Sequence, residues 1–345
     1  MPDQTHADHT RADHAQADQG PSTRPAAAVG ASRLPRVIVL SGGLSHERDV
    51  SIRSGRRVAN ALVDAGHEVI ESDVNAGLIA MLSQNRDAVV VSLLHGGVGE
   101  NGALREVFQL LSTCFVGSSG AASRLAFDKS IATPLLAAHG IRTPRQVVLP
   151  AEVFRELGAP SLVEAISVTM GYPVMVKPTR SGSALGCTKV DRAEDLPSAM
   201  VSAYAYGDEA VVEEFIEGTE VAVAVLGTGD EARALPAVEI RPDSGVYDYT
   251  ARYTAGATRF VTPAEVSDEV SAACAEMALT AHRALQLSGV SRMDIIIRDG
   301  QPVFIEANVA PGMTETSLVP LAMEAAGLDL GEAVSALVIE ATHKP

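Results

Sequence analysis

The sequence predicts a mixed fold, α/β in its first part and α+β in the rest, shared among two or three compact units. Three observations carry this reading. Past residue 35 the chain alternates short apolar runs with a helical pattern, which requires crossovers and therefore a parallel sheet. Between Arg292 and Asn308 two apolar strands fold back near Asp299-Gly300 as a hairpin. A length of 345 residues is more than one hydrophobic core usually serves.

Residues 1–35 are rich in Ala, Asp, His, Gln, Pro and Ser and almost free of large apolar side chains. Such a segment buries too little surface to offset its ordering entropy, so a disordered polar tail is expected. His6, His9 and His14 lie among aspartates, and adventitious metal binding is the weaker reading of them. Val37 to Leu40 reads as a buried strand, followed by a turn at Ser41-Gly42-Gly43. A helix then repeats Ile52, Gly55, Ala59 and Leu62 at spacings of three and four, and Gly66 ends it. His67 to Ile70 and Asp87 to Leu94 are the next strands, and this first unit is expected to span 36–120.

A second unit is expected over 121–216. It holds a helix from Leu125 to Gly140, a strand from Pro173 to Lys177, and a Gly/Ser loop from Arg180 to Gly186. A helix from Leu196 to Tyr204 and a strand from Ala210 to Ile216 follow. The last unit, 217–345, begins with the strand Glu220 to Leu226. A helix from Ser267 to Leu287 carries Val270, Ala273, Cys274, Met277, Ala281 and Leu285 on one face. Ser267 is its expected N-cap, because Asp268 and Glu269 then fall in the positive first turn. The hairpin and one C-terminal helix complete the unit, and no internal repeat is visible.

The net charge of −16, without clustered Lys or Arg, excludes a broad nucleic-acid surface. Cys114, Cys187 and Cys274 are odd in number and far apart, which suits buried structural thiols rather than disulfides or zinc. No apolar run nears the roughly 18 residues of a membrane span, and the N-terminus lacks the apolar core of a signal peptide. A cytoplasmic protein with no membrane partner is expected.

The chemistry concentrates in the hairpin. Side chains alternate along a strand, so Arg292, Asp294 and Ile296 share one face and Glu306 and Asn308 share one face of the partner. Two carboxylates and an amide oxygen suit a hard cation such as Mg²⁺. A two-residue Asp299-Gly300 turn pairs Asp294 with Ile305, however, and puts Glu306 on the opposite face. The metal reading therefore requires an odd loop, most simply Asp299-Gly300-Gln301, or an equivalent bulge in either strand. Beyond Asn308, Pro311 and Gly312 break the strand, and the Gly312 N–H is placed to stabilise an oxyanion.

Elsewhere, Lys177 precedes the 180–186 loop, whose small residues let backbone N–H groups cradle phosphate; no Walker motif is present. Lys129 is either a second phosphate cation or a helix-surface lysine. Glu47 follows the first strand, where open α/β sheets bind ligands, and its carboxylate suits an ammonium group. His46 and Arg48 read as loop surface. His95 ends the third strand and either touches substrate or caps the loop.

In order along the chain, GGLSHERDVS, LLHGGVGENG, VKPTRSGSALG, VYDYTARY, SRMD and EANVAPGMTETSLVP make it resemble the D-alanine–D-alanine ligases of the ATP-grasp superfamily, over about residues 36 to 340. The resemblance implies a three-domain ATP-grasp architecture with a Rossmann-like N-terminal substrate domain. It implies an ATP-dependent ligation through an acyl phosphate, supplying peptidoglycan, cell-wall and cell-shape functions, in a cytoplasmic homodimer. Two Mg²⁺, or Mn²⁺, are implied on Asp294, Glu306 and Asn308. Lys129 and Lys177 are implied to hold ATP phosphates, Glu213, Glu214 and Ile216 the adenine, and Glu220 the ribose. Glu47 and His95 are implied at the first D-alanine, with Ser183 and Tyr253 linked to Glu47. Arg292 and Gly312 are implied at the oxyanion, and Ser317 and Leu318 at the second D-alanine.

The chain departs from the usual family pattern at Arg252 (usually Lys), at Ser181 and Ala184 in the phosphate loop, at Asn101, and at Val309-Ala310. Arg and Lys are not interchangeable at a phosphate, which makes Arg252 the departure to follow. Another ATP-grasp amino-acid or dipeptide ligase is the nearest rival function. A catalytically silent nucleotide-binding regulator is the rival from another class.

Overall fold

The computed structural model describes residues 34–247, 251, 252, 254 and 256–343. The tail expected over 1–35, up to residue 33, lies outside them. The described chain holds three sheets.

The first sheet is made by β1 (Val37–Leu40), β2 (Val69–Ser72) and β3 (Val89–Ser92), in the order β2-β1-β3 and all parallel. Val37 lies opposite both Val69 and Val89. Between these strands run α1 (Arg48–Asp64) and α2 (Leu78–Gln84), and α3 (Ala103–Leu110) follows. Helix α1 buries Ser51, Ser54, Gly55, Val58, Ala59 and Leu62, so two serines share the face expected to be apolar. A Cβ on Gly55 would come within 2.4 Å of Ser41, so the helix rests directly on the turn after β1. Gly66 takes a φ of 94° and the His67 N–H bonds Leu62 O, closing the helix end. This commitment of His67 is why β2 starts two residues later than expected.

The single helix expected from Leu125 to Gly140 is two, α4 (Gly120–Phe127) and α5 (Lys129–Ala138). Asp128 between them is extended, and its carboxylate accepts from the Ser130 N–H at 3.0 Å, starting a new helix. The second sheet contains β4 (Gln146–Pro150), β5 (Val174–Pro178), β6 (Thr188–Val190) and β7 (Glu209–Glu214) in the antiparallel order β4-β7-β5-β6. Helices α6 (Ala151–Leu157), α7 (Ala159–Thr169) and α8 (Leu196–Tyr204) belong with it. The Gly/Ser segment is the loop from β5 to β6.

The third sheet has six strands: β8 (Thr219–Thr228), β9 (Arg233–Ala234), β10 (Val238–Pro242), β11 (Thr258–Val261), β12 (Ser288–Arg298) and β13 (Gln301–Asn308). Their order is β11-β10-β8-β12-β13, with β9 on β8. Strand β8 reads as an unbroken apolar run because both its faces are covered. Val221, Val223 and Val225 pack with α4, α5 and α9 (Asp268–Ala284). Ala222, Ala224 and Leu226 pack with α1, α10 (Leu318–Ala325) and α11 (Leu330–Thr342). Ser267 caps α9 as expected, its hydroxyl accepting from the Val270 N–H. The one expected C-terminal helix is two, because Gly327 turns left-handed and Asp329 caps a new helix.

The hairpin resolves the register question. Arg298 lies opposite Gln301, so the turn is the two-residue Asp299-Gly300, not the three-residue loop. Both turn residues have positive φ, 53° and 73°, as a type I′ turn requires. The correction enters farther along. Ile295 faces Phe304 while Asp294 faces Glu306, so Ile305 is an extra residue bulged from β13. The bulge puts Asp294 and Glu306 on the same face.

Candidate active site

The bulged hairpin aligns two adjacent cross-strand pairs, Arg292 with Asn308 and Asp294 with Glu306. Arg292 donates to both oxygens of Asp294, at 2.6 and 2.8 Å, and both residues are buried. Glu306 meets Lys129 Nζ at 3.3 Å, and Asn308 Oδ1 accepts from the Ala310 N–H at 2.8 Å. Burial alone would push the Glu306 carboxyl upward. Lys129, Arg252, Lys177 and Arg292 overcome that and hold it at about 2. Among the described residues no group of three His, Cys, Asp or Glu converges as a metal site. The donor set here is two carboxylates and an amide, all oxygen, which fits a hard divalent cation that also takes phosphate and water.

Two cavities meet at this face. The larger, about 920 Å³, lies between the second and third sheets and is lined by Lys177, Glu213, Glu214, Ile216, Glu220 and Asp294, among others. The smaller, about 190 Å³, gathers Glu47, His95, Lys129, Ser183, Arg292 and Asn308. Gly312, Ser317 and Leu318 also border it. Glu306 and Arg252 line both, so they stand in the wall between them. The expected site residues are therefore brought together, except Tyr253, which lies outside the described residues.

In the larger cavity the Lys177 ammonium is 2.5 Å from Glu213. Burial would lower the pKa of Lys177, and Glu213 reverses this and holds it raised. Glu214 pairs with Arg298 at 2.7 Å, which holds its carboxyl below the ordinary range. Burial pushes Glu220 up to about 7. Arg252 stacks over the Tyr247 ring, 4.4 Å from its centroid, and its Nε donates to Tyr247 O at 3.3 Å.

In the smaller cavity the Ser183 hydroxyl donates to Glu47, joining the loop after β1 to the loop after β5. Ser183 and Ala184 have positive φ, 53° and 56°, the strained backbone often found at ligand loops. Lys129 Nζ donates to Ser181 O at 2.9 Å, and Arg180 pairs with Asp128 at 2.6 Å, so the start of α5 holds this loop. Both ring nitrogens of His95 are engaged, Nδ1 with Ala310 O at 2.8 Å and Nε2 with Ser54 Oγ at 3.3 Å. His95 thus braces the loop, and any contact it makes with a ligand is by its ring carbons. The Thr314 N–H donates to Ser317 Oγ at 3.0 Å. A Cβ on Gly312 would lie 2.8 Å from that oxygen, so only glycine fits here without displacing Ser317. Arg48, read as loop surface, is paired with Asp73 at 2.6 Å.

Three features escaped the sequence reading. Glu100 is a buried carboxyl of the smaller cavity, pushed up to about 7 by burial and then by Glu47. Arg105, also buried, donates to Gly99 O and to Val309 O, tying the turn before α3 to the end of β13. Ser54 lies at the meeting of α1 with the segment after β13. The Ser51-x-x-Ser54-Gly55 spacing, with both serines on the face of Gly55, was the available signal for Ser54.

The family description "D-ala D-ala ligase C-terminus" matches residues 135–339. The D-alanine--D-alanine ligase of Bordetella petrii is 38% identical over 315 residues, covering 91% of this chain and 94% of that protein. The corresponding protein of Desulforudis audaxviator is 40% identical over 306 residues, covering 88% and 97%. Among solved structures, the VanG D-Ala:D-Ser ligase from Enterococcus faecalis superposes with a TM-score of 0.78 at 29% identity, covering 89% of this chain and 99% of that one. The Bacillus anthracis D-alanine--D-alanine ligase complexed with ATP superposes with a TM-score of 0.74 at 26% identity, covering 89% and 97%.

Proposed function

Because the chain belongs to the D-alanine–D-alanine ligase family, we propose that it joins two D-alanines into D-alanyl-D-alanine, using ATP. The observation that carries this reading is the pairing of Asp294 with Glu306 across the Ile305 bulge, at the junction of the two cavities. A nucleotide in the larger cavity then points its phosphates at the carboxylate of an amino acid in the smaller one.

In this reading Glu213, Glu214 and Ile216 border the adenine and Glu220 the ribose. Lys177 exchanges part of its pairing with Glu213 for phosphate oxygens, and Lys129 does the same from Glu306. Asp294, Glu306 and Asn308 would hold two Mg²⁺, or Mn²⁺, which offset charge on the transferring phosphoryl group when bound. Glu47 binds the ammonium of the first D-alanine, and Ser183, with Tyr253, keeps Glu47 in place. The carboxylate oxygen of the first D-alanine attacks the γ-phosphorus and ADP leaves, giving an acyl phosphate. The amine of the second D-alanine, held beside Ser317 and Leu318, attacks the carbonyl carbon, and phosphate leaves as the amide forms. Arg292 and the Gly312 N–H stabilise the oxyanion between those events. Arg252 keeps the charge of the usual lysine in the wall between the cavities, and its guanidinium is anchored by the Tyr247 ring.

The proposal extends to peptidoglycan precursor synthesis, and so to cell-wall and cell-shape functions, in the cytoplasm. It includes a homodimer and domain limits at 36–120, 121–216 and 217–345. No helix among the described residues is long and apolar enough to cross a membrane.

Phosphate release from ATP and Mg²⁺ tests the activity, with D-alanine alone and D-alanine with added L-alanine, D-serine or D-lactate as separate arms. D-alanine alone should support turnover. The likeness to a D-Ala:D-Ser ligase makes D-serine the main competing acceptor. Release only with another acceptor would favour the rival ligase, and release with none would favour a silent nucleotide-binding protein.

A further inference from the structure

Three hydrogen bonds close a ring around the segment that carries Gly312. His95 Nδ1 is 2.8 Å from Ala310 O, His95 Nε2 is 3.3 Å from Ser54 Oγ, and the Met313 N–H donates to Ser54 Oγ at 3.0 Å. A carbonyl oxygen only accepts, so Nδ1 carries the ring proton. Burial lowers the imidazole pKa, which keeps the ring neutral and leaves Nε2 an acceptor. The Ser54 hydroxyl then donates to Nε2, and its oxygen accepts from Met313. One arrangement of protons satisfies all three bonds.

The ring grips both ends of a four-residue turn. Between Ala310 and Met313 stand only Pro311, which has no N–H to anchor, and Gly312, which has the widest backbone freedom. The proline ring fixes its own φ but leaves its ψ, and with it the direction of the Gly312 amide, to be set by what holds the turn. The fixing comes from α1. Arg57, three residues beyond Ser54, donates to Met313 O at 3.1 Å and Thr314 O at 2.9 Å. Ser51, three residues before it, accepts from the Gly42 N–H and donates to Leu93 O, at 2.8 and 2.7 Å. The spacing of three puts all of these groups on one face of the helix.

We propose that Ser54 is a positioning residue that acts through His95 and Met313 to aim the Gly312 N–H at the reacting carbonyl. The role rests on the ligase reading above and adds a part that lies outside both cavities. An oxyanion donor works by direction, since its bond must point to where charge develops. Loosening the turn therefore slows the chemical step and leaves nucleotide binding alone.

Steady-state phosphate release and thermal protection by Mg²⁺-ATP provide the test. Ser54→Ala is expected to lower kcat by about 10- to 100-fold, below the full loss of an oxyanion donor, with KM for ATP within about twofold. Ser54→Thr, which keeps the hydroxyl, is expected to stay within about threefold of wild type in kcat. His95→Asn keeps a donor toward Ala310 and removes the acceptor for Ser54. It is expected to lower kcat about tenfold at unchanged KM for ATP, and it decides the matter should Ser54→Ala not fold. Since the two residues act in one ring, the double variant should fall no further than about threefold below the worse single variant. Wild-type kcat in both Ser54→Ala and His95→Asn overturns the role. So does a loss of kcat, ATP affinity and ATP protection together, or a fully multiplicative double variant. A wild-type protein silent with every amino acid overturns the ligase reading itself, which separates the two failures.

Discussion

Glu100 and Glu306 are acids of the same small cavity, and their surroundings drive them in opposite directions. Glu306 is encircled by four cations and held at about 2, whereas Glu100 is buried beside Glu47 and pushed to about 7. A carboxyl raised from 4.5 to about 7 contributes stability that is fully present below about pH 4.5 and lost as pH rises through about 7. Over that window the loss is about 3 kcal/mol. Glu100→Gln should flatten the fall of stability between pH 5 and 7 in urea melts of the nucleotide-free protein. An unchanged slope would mean that Glu100 does not titrate in that window. Asp294→Asn tests the other member of the hairpin pair. Turnover should fall by about 100-fold or more while the circular dichroism spectrum stays that of a folded protein. Some stability should be lost, on the order of 3 kcal/mol, because Arg292 remains buried without its full partner. Undiminished turnover at saturating Mg²⁺ would remove Asp294 from the site.

Asp128 shows how one side chain can set an element. The periodicity from Leu125 onward is continuous, and it reads as one helix because Asp128 leaves the apolar pattern unbroken. The break comes from a carboxylate that caps α5 and also pairs with Arg180 of the loop after β5. Asp128→Ala should cost about 1–2 kcal/mol by urea denaturation. It should also raise KM for ATP several-fold, since Lys129 begins the helix that Asp128 caps; an unaltered KM would leave the cap purely structural. The hairpin gives the complementary case. Alternation in its strands identifies the faces, and it correctly demands a correction between Asp294 and Glu306. It does not say where the extra residue goes. The Asp299-Gly300 turn favours the tight two-residue form, so the extra residue is accommodated at Ile305 instead. The two-helix C-terminus was missed for a simpler reason, since Gly327 and Asp329 are separated by a single residue and the apolar pattern resumes at once.

Across the whole molecule, the larger cavity is walled by two sheets that share no strand. A ligand between them that binds only the folded state stabilises it by mass action. Mg²⁺-ATP at about 100 times its Kd should add about 2.7 kcal/mol, seen as a rise in melting temperature of several degrees. ATP without divalent cation should protect less, and equal protection would argue against a metal role for the hairpin set. In light scattering the proposed homodimer should weigh about twice the chain mass of 35.9 kDa, and a monomer would remove it from the proposal.

The sequence by itself determined the parallel sheet at the start of the chain, the two strands of the hairpin and the faces their side chains share. These depend on periodicity and local chemistry, which a single chain carries openly, whereas the residues expected at the adenine, the ribose and the second substrate came from the resemblance of the motifs to the family. Only the tertiary structure decided who pairs with whom. Ser183 reaches Glu47 across 136 positions and His95 reaches Ala310 across 215, distances over which periodicity is silent. It also decided that Glu100 is buried, that Lys177 is paired with Glu213, and that the bulge sits at Ile305. Burial, partner and bulge position follow from how sheets and helices close upon one another, and that closure is a property of the packed molecule rather than of any segment in it.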